Sequence, residues 1–245
     1  MLHNALIEFL TPYTDVATAV VILIPFAILG MFLYKRKITF LKALAAKHNL
    51  VYVSKEPIDL MKSFRSRLFK YDRTIKVTHI FEGVHADHRF VLFRNLFYTN
   101  RFKLEARSFS IGSCEFGNTE FPYIVLKSKK MKLYQDREAN DTQIFLEQEY
   151  LKDFDLYCPQ DYEIEILQIF TEDLLRAVSD ISKDFSIEFG GNRLYVYLDK
   201  DIFNKRNEEN FRKVIKIMHQ IIDRTDGLLF RLKDDFEVLD EYYKK

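Results

Sequence analysis

The hydrophobic pattern of the chain changes character at Tyr34. Before that point, Val16–Tyr34 is a run of 19 uncharged, mostly aliphatic residues, bounded by Asp15 and by Lys35, Arg36 and Lys37. After it, apolar positions recur at helical or strand spacing among charged ones. At 1.5 Å per residue the run makes a helix roughly 28 Å long, close to the hydrocarbon thickness of a bilayer. A cleaved signal needs a basic leader and a small-residue exit. Met1–Asp15 has no Lys or Arg, and Gly30–Tyr34 offers no such exit, so the pattern is that of a retained span. Pro25 and Gly30 lie inside it, and both are common in membrane helices. Leu2–Leu10 is expected to form a short outer segment that stops at Pro12.

Beyond the run, Ile38–Asn49 predicts a separate helix, with Phe40, Leu41, Leu44, Ala45 and His48 on one face, leading into a strand at Leu50–Val53. Thr78–His85 and Arg89–Tyr98 predict a β-hairpin with a polar tip at Ala86, Asp87 and His88. Further strands are expected at Ser108–Cys114, Tyr123–Lys127, Thr142–Glu149 and Phe154–Tyr157. Asp161 has the position of an N-cap for a helix over Tyr162–Ile169. Thr171 has it for a second, with Glu172 and Asp173 in the first turn and Leu174, Leu175, Val178 and Ile181 on the apolar face. Phe185–Phe189 and Arg193–Leu198 flank a glycine-rich turn and predict a second hairpin. Glu208–Arg224 predicts an amphipathic helix closed near Gly227, with Phe211, Val214, Ile215, Met218, Ile221 and Ile222 inward. Phe230–Tyr243 reads as a short acidic helix. The fold class is therefore α+β: one N-terminal transmembrane helix, then a domain of mainly antiparallel strands and hairpins with several packed helices.

Charge orients this arrangement. Lys35, Arg36, Lys37, Lys42 and Lys47 follow the run, whereas Glu8 and Asp15 are the only ionised side chains before it. The positive-inside bias puts the N-terminus outside and the C-terminal domain in the cytoplasm, as in a single-pass protein of the cell membrane. Residues 1–15 are then a short extracytoplasmic N-terminus and 16–34 the span. Residues 35–132 form a basic membrane-proximal part, with 21 Lys and Arg against 8 Asp and Glu. Residues 133–245 form an acidic distal part, with 16 against 26. Anionic lipid headgroups are the expected partners of Lys35, Arg36, Lys37, Lys62, Arg65, Arg67 and Lys70, each cation near such a surface contributing about 1 kcal/mol. The segment Lys62–Lys76 also interleaves Phe64, Phe69 and Tyr71 with its cations. It suits a headgroup layer or single-stranded nucleic acid, or an ordinary amphipathic element whose Leu60, Phe64, Leu68 and Tyr71 pack on the core. A net charge of +1 argues against nucleic acid.

Candidate chemistry is sparse. Cys114 and Cys158 lack C-x-x-C or zinc-type spacing and are expected to be free thiols. His85, Asp87 and His88, with His79 nearby in sequence, are ligand types for zinc, but their spacing fits no metal template and a hairpin tip is an ordinary place for polar residues. Asp153/Asp155 and Glu163/Glu165 are expected on exposed faces. No phosphate loop, nucleophile elbow or zinc-protease motif is present. No catalytic residue, metal or cofactor is assigned.

The strings Leu146–Tyr157, Asp161–Thr171 and Phe185–Tyr197, with Gly83, Asp87, Arg89 and Phe90 of the earlier hairpin, carry a resemblance. The stretch Phe145–Leu198 resembles a family of uncharacterised bacterial membrane-anchored proteins with a cytoplasmic α+β domain. The resemblance covers about a third of the chain and rests on packing and capping residues. It departs in having one span where many members have two, and no Pro after Thr171. It implies an architecture and no activity. Two functions stand: a protein-interaction or envelope-organising module with a protein partner, or a membrane-tethered enzyme or small-ligand binder whose site is assembled from residues distant in sequence.

Overall fold

The computed structural model describes residues 2–54, 73–98, 106–131, 141–144, 152–181 and 183–243, with side chains described within 23–228. It divides into two compact units, Met1–Leu44 and Ala45–Lys245.

The first unit is helical. Helix α1 runs Leu2–Lys47 without a break. The stop expected at Pro12 and the fresh start expected at Ile38 are both absent. A proline removes one intrahelical N–H and kinks more readily than it terminates, and no residue between Tyr34 and Ile38 is a breaker. Among the described residues no helix is long and apolar enough to cross a membrane; the described side chains of α1 begin at Leu23, inside the run Val16–Tyr34. The helix ends within the second unit through a left-handed residue, Asn49 at φ 56°. There the Leu50 N–H donates to the Ala45 carbonyl at 2.9 Å, closing carbonyls that the helix leaves open.

The second unit is built on one sheet. Its strands are β1 (Val51–Val53), β2 (Arg73–His85), β3 (His88–Tyr98), β4 (Ala106–Glu115), β5 (Phe121–Ser128), β6 (Asp141–Ile144), β7 (Phe154–Pro159), β8 (Phe185–Gly191) and β9 (Arg193–Leu198). They form a nine-stranded sheet in the order β1-β2-β3-β4-β9-β8-β5-β7-β6, and every pairing is antiparallel. Strands from the basic stretch 35–132 and the acidic stretch 133–245 therefore interleave, since β4 lies beside β9 and β5 lies between β8 and β7. Both predicted hairpins form. The β8–β9 turn places Gly191 at φ 59°, the left-handed first position that a two-residue turn of this hand requires.

Helices α2 (Glu163–Ile169), α3 (Glu172–Ile181) and α4 (Glu208–Tyr243) complete the unit. Asp161 does not cap α2: it lies in a 3-10 turn, Gln160–Tyr162, and no side chain caps either element. Thr171 caps α3 through its backbone, its carbonyl accepting from the Leu175 N–H at 3.0 Å. Its hydroxyl oxygen accepts from Arg224 instead. The last helix passes Gly227, where closure is expected, and absorbs the segment Phe230–Tyr243. A glycine inside a helix costs about 1 kcal/mol, which the flanking turns can offset.

One face of the sheet packs against α4. Phe211, Val214, Ile215, Met218, Ile221 and Ile222 are all buried, each contributing roughly 1.5–3 kcal/mol by leaving water. Phe81 anchors this layer, stacked on Phe203 at 5.3 Å and edge-on to Phe211 at 5.0 Å. The helix comes so close to β4 that a Cβ on Gly112 would lie 2.4 Å from the Met218 sulfur. By strand alternation the opposite face carries a second buried cluster, including Phe93, Phe109, Ile111, Val125, Tyr195 and Tyr197. Within it Tyr197 Oη donates to the buried Glu188 Oε2 at 2.7 Å.

Candidate functional site

The tip of the β2–β3 hairpin is a two-residue turn in which Ala86 and Asp87 both have positive φ, 48° and 63°. That turn hand matches the twist of the flanking strands, but it favours Gly or Asn over Ala. It sets His85 and His88 opposite one another as a registered pair. Both side chains reach α4. His85 Nε2 lies 2.7 Å from Asp223 Oδ1, and His88 Nε2 lies 2.8 Å from Asp226 Oδ1. A third imidazole joins them, because His219 stacks on His85 with centroids 3.8 Å apart and meets the edge of Phe90 at 5.3 Å. His219, Asp223 and Asp226 stand at i, i+4 and i+7, so one stripe of α4 supplies all three.

His79 is not part of this group. It sits at φ 55° beside a bulge in β2 and faces Phe203 at 6.1 Å.

The electrostatics of the cluster are those of a clasp. Burial lowers the pKa of His219, and the neighbouring His85 lowers it further, while Asp223 opposes both. His88 lies between two acceptors, Asp226 Oδ1 and the Glu115 carbonyl at 3.3 Å. Cys114, on the adjacent strand, is buried, and its thiol is pushed up to about 12 by that burial and then by Asp226, with Arg193 opposing. A thiol held neutral is no nucleophile at ordinary pH. No group of three or more His, Cys, Asp or Glu placed to hold a metal ion occurs among the described residues.

Elsewhere a cavity of about 340 Å³ is lined by Lys47, His48, Glu208, Glu209 and Arg212. Across it Lys47 Nζ meets Glu208 Oε1 at 2.5 Å. That hydrogen bond holds the Glu208 carboxyl below its ordinary range. His48 beside it is lowered by burial and then by Lys47.

Of the expected headgroup contacts, Lys35, Arg36 and Lys37 are exposed on α1, and Lys62, Arg65, Arg67 and Lys70 lie outside the described residues. Asp153 corrects the expectation of an exposed doublet. It is buried and ion-paired to Lys183 at 2.8 Å, which is how a carboxylate tolerates burial. The partner Asp155 meets Lys129 at 3.3 Å.

Compared with protein-family models, with curated proteins and with solved structures, the chain matches none.

Proposed function

We propose that this is a single-pass membrane protein whose α+β domain serves as a binding module for a partner protein on the cytoplasmic side. The observation that carries the anchor is on α1. Leu23, Ile24, Phe26, Ile28, Leu29, Met31, Phe32, Leu33 and Tyr34 are each 51–68% exposed. They occupy every side of the helix, which leaves no polar face for water. A helix apolar all round is solvated by lipid or by protein, not by water. Exposed Lys35, Arg36 and Lys37 follow at once, the flank that orients a span. These three cations, with Lys62, Arg65, Arg67 and Lys70, are the proposed contacts for anionic headgroups. The resemblance to bacterial membrane-anchored proteins points the same way.

The test is topology. A C-terminal reporter that works only in the cytoplasm should be active, and the chain should stay in the membrane fraction through alkaline carbonate. A C-terminal reporter active only outside the cytoplasm, or release by carbonate, overturns the proposal.

A further inference from the structure

We infer that the α2 face bearing Ile164 and Leu167 docks a basic, amphipathic segment of a partner protein. The inference rests on the binding-module reading and specifies its surface and its partner's chemistry.

Helix α2 buries Ile166 and Ile169 and turns its other apolar side chains outward. Ile164 is 73% exposed and Leu167 48%; three residues apart, they are neighbours on one helical face. Tyr162, 43% exposed, precedes them in the 3-10 turn. The other exposed large hydrophobics described in this unit, Val51 and Val84, are on the sheet.

Charge then selects the occupant. From Asp161 to Asp173 the chain carries five carboxylates and no Lys or Arg. Glu172 is paired with Arg176, but Asp161, Glu163, Glu165 and Asp173 have no ion pair among the described residues. Elsewhere in the same unit Glu82 is met by Arg89, Glu115 by Arg193 and Asp201 by Arg94. The exposed apolar face therefore sits in a segment whose own charges are all negative, with Arg224 reaching its C-terminal end at Thr171. Anionic lipid headgroups and nucleic acid are repelled by that sign. A protein segment with apolar anchors at helical spacing, flanked by Lys and Arg, satisfies both features.

Two measurements test this with the full chain, the first in detergent and the second in intact membranes. The probe for the first is a short amphipathic peptide of leucine and lysine, followed by fluorescence anisotropy beside a scrambled peptide of the same composition. The amphipathic peptide should bind better than the scrambled one. The Ile164→Ser/Leu167→Ser variant should weaken it roughly tenfold, and Glu163→Gln/Glu165→Gln should weaken it and flatten its salt dependence. Equal binding of the two peptides, or binding unchanged in the variants, overturns the inference. The second places a photo-crosslinker at position 164 in intact membranes. Capture of a peptide that is basic and amphipathic supports the inference. Capture of lipid, of a second copy of this chain or of an acidic segment, or no capture, overturns it. A chain that fails the topology test but passes both of these loses its anchor and keeps this face; one that is anchored but fails both loses this face alone.

Discussion

The imidazole rings of His85 and His219 lie face to face, 3.8 Å apart and 1° from parallel. They join the tip of a hairpin to a helix more than a hundred residues away in sequence. Because the His219 pKa is lowered by burial and by His85, the folded state favours its neutral form.

That preference has a definite sign. A histidine lowered on folding costs nothing above its ordinary value of 6.5, and stability falls as pH drops below that value, because the unfolded chain binds the proton more readily. Phenylalanine keeps a flat ring there, and the buried His219 Nε2 has no hydrogen-bond partner to lose. His219→Phe should therefore lose less stability than wild type between pH 7.5 and pH 5, measured by urea midpoints. His48, also lowered, retains part of the dependence. Parallel pH profiles for the two proteins would refute the assignment.

The turn between His85 and His88 yields a second expectation. Ala86 is held at φ 48°, where a Cβ costs roughly 1–2 kcal/mol. Glycine removes that strain while adding about 0.5–1 kcal/mol of unfolded-state entropy. Ala86→Gly should stabilise by about 0.5 kcal/mol, and Ala86→Val should destabilise by more than 1 kcal/mol. Thermal melts of the pair check the order; Gly below Ala would mean the turn is not left-handed in solution.

Both hairpins were legible in the sequence because strand alternation is local: His85 and His88 flank a polar tip, and Gly191 marks the other turn. The α+β class followed from the same signals. The strand order was not legible, since the pairing of Ser110 with Leu198 joins positions far apart in sequence and no local pattern encodes it. Half of the clasp was visible in the same sense. His85 and His88 stood out, but His219 and Asp223 are unremarked polar positions of the predicted helix Glu208–Arg224 and Asp226 falls beyond its predicted end. Their i, i+4, i+7 stripe was the available signal. Asp153 misled because exposure is the default for a carboxylate, and its partner Lys183 lies beyond two helices. Gly227 misled because closure by glycine is a preference, not a stop.

Two glycines allow the sheet–helix contact to be compared with packing inside the sheet layer. A Cβ on Gly83 would lie 2.5 Å from Leu50 Cδ2 and 2.6 Å from Phe90 Cζ, and an aromatic ring cannot fold away. A Cβ on Gly112 would lie 2.4 Å from the Met218 sulfur and 3.1 Å from Leu92 Cδ2, and a methionine can choose another rotamer. Overpacking typically costs about 1–3 kcal/mol. Gly83→Ala should fall at the high end and Gly112→Ala at the low end, as read from chemical denaturation. The reverse order would place rigidity in α4 rather than at Phe90.

The Cys114 thiol supplies the last prediction. Its pKa is raised to about 12, first by burial and then by the negative charge of Asp226, so the reactive thiolate is scarce at pH 8. Cys158 is equally buried. Neither cysteine should be modified by a thiol reagent in the folded chain, and both should react once it is denatured. Asp226→Asn removes the smaller cause and leaves the larger. In that variant labelling of the folded protein should stay slow, although the His88 contact is weakened. Labelling of wild type at the rate of a free thiol would mean that the β4 face opens locally; fast labelling in Asp226→Asn alone would mean that the clasp, rather than packing against α4, keeps it closed.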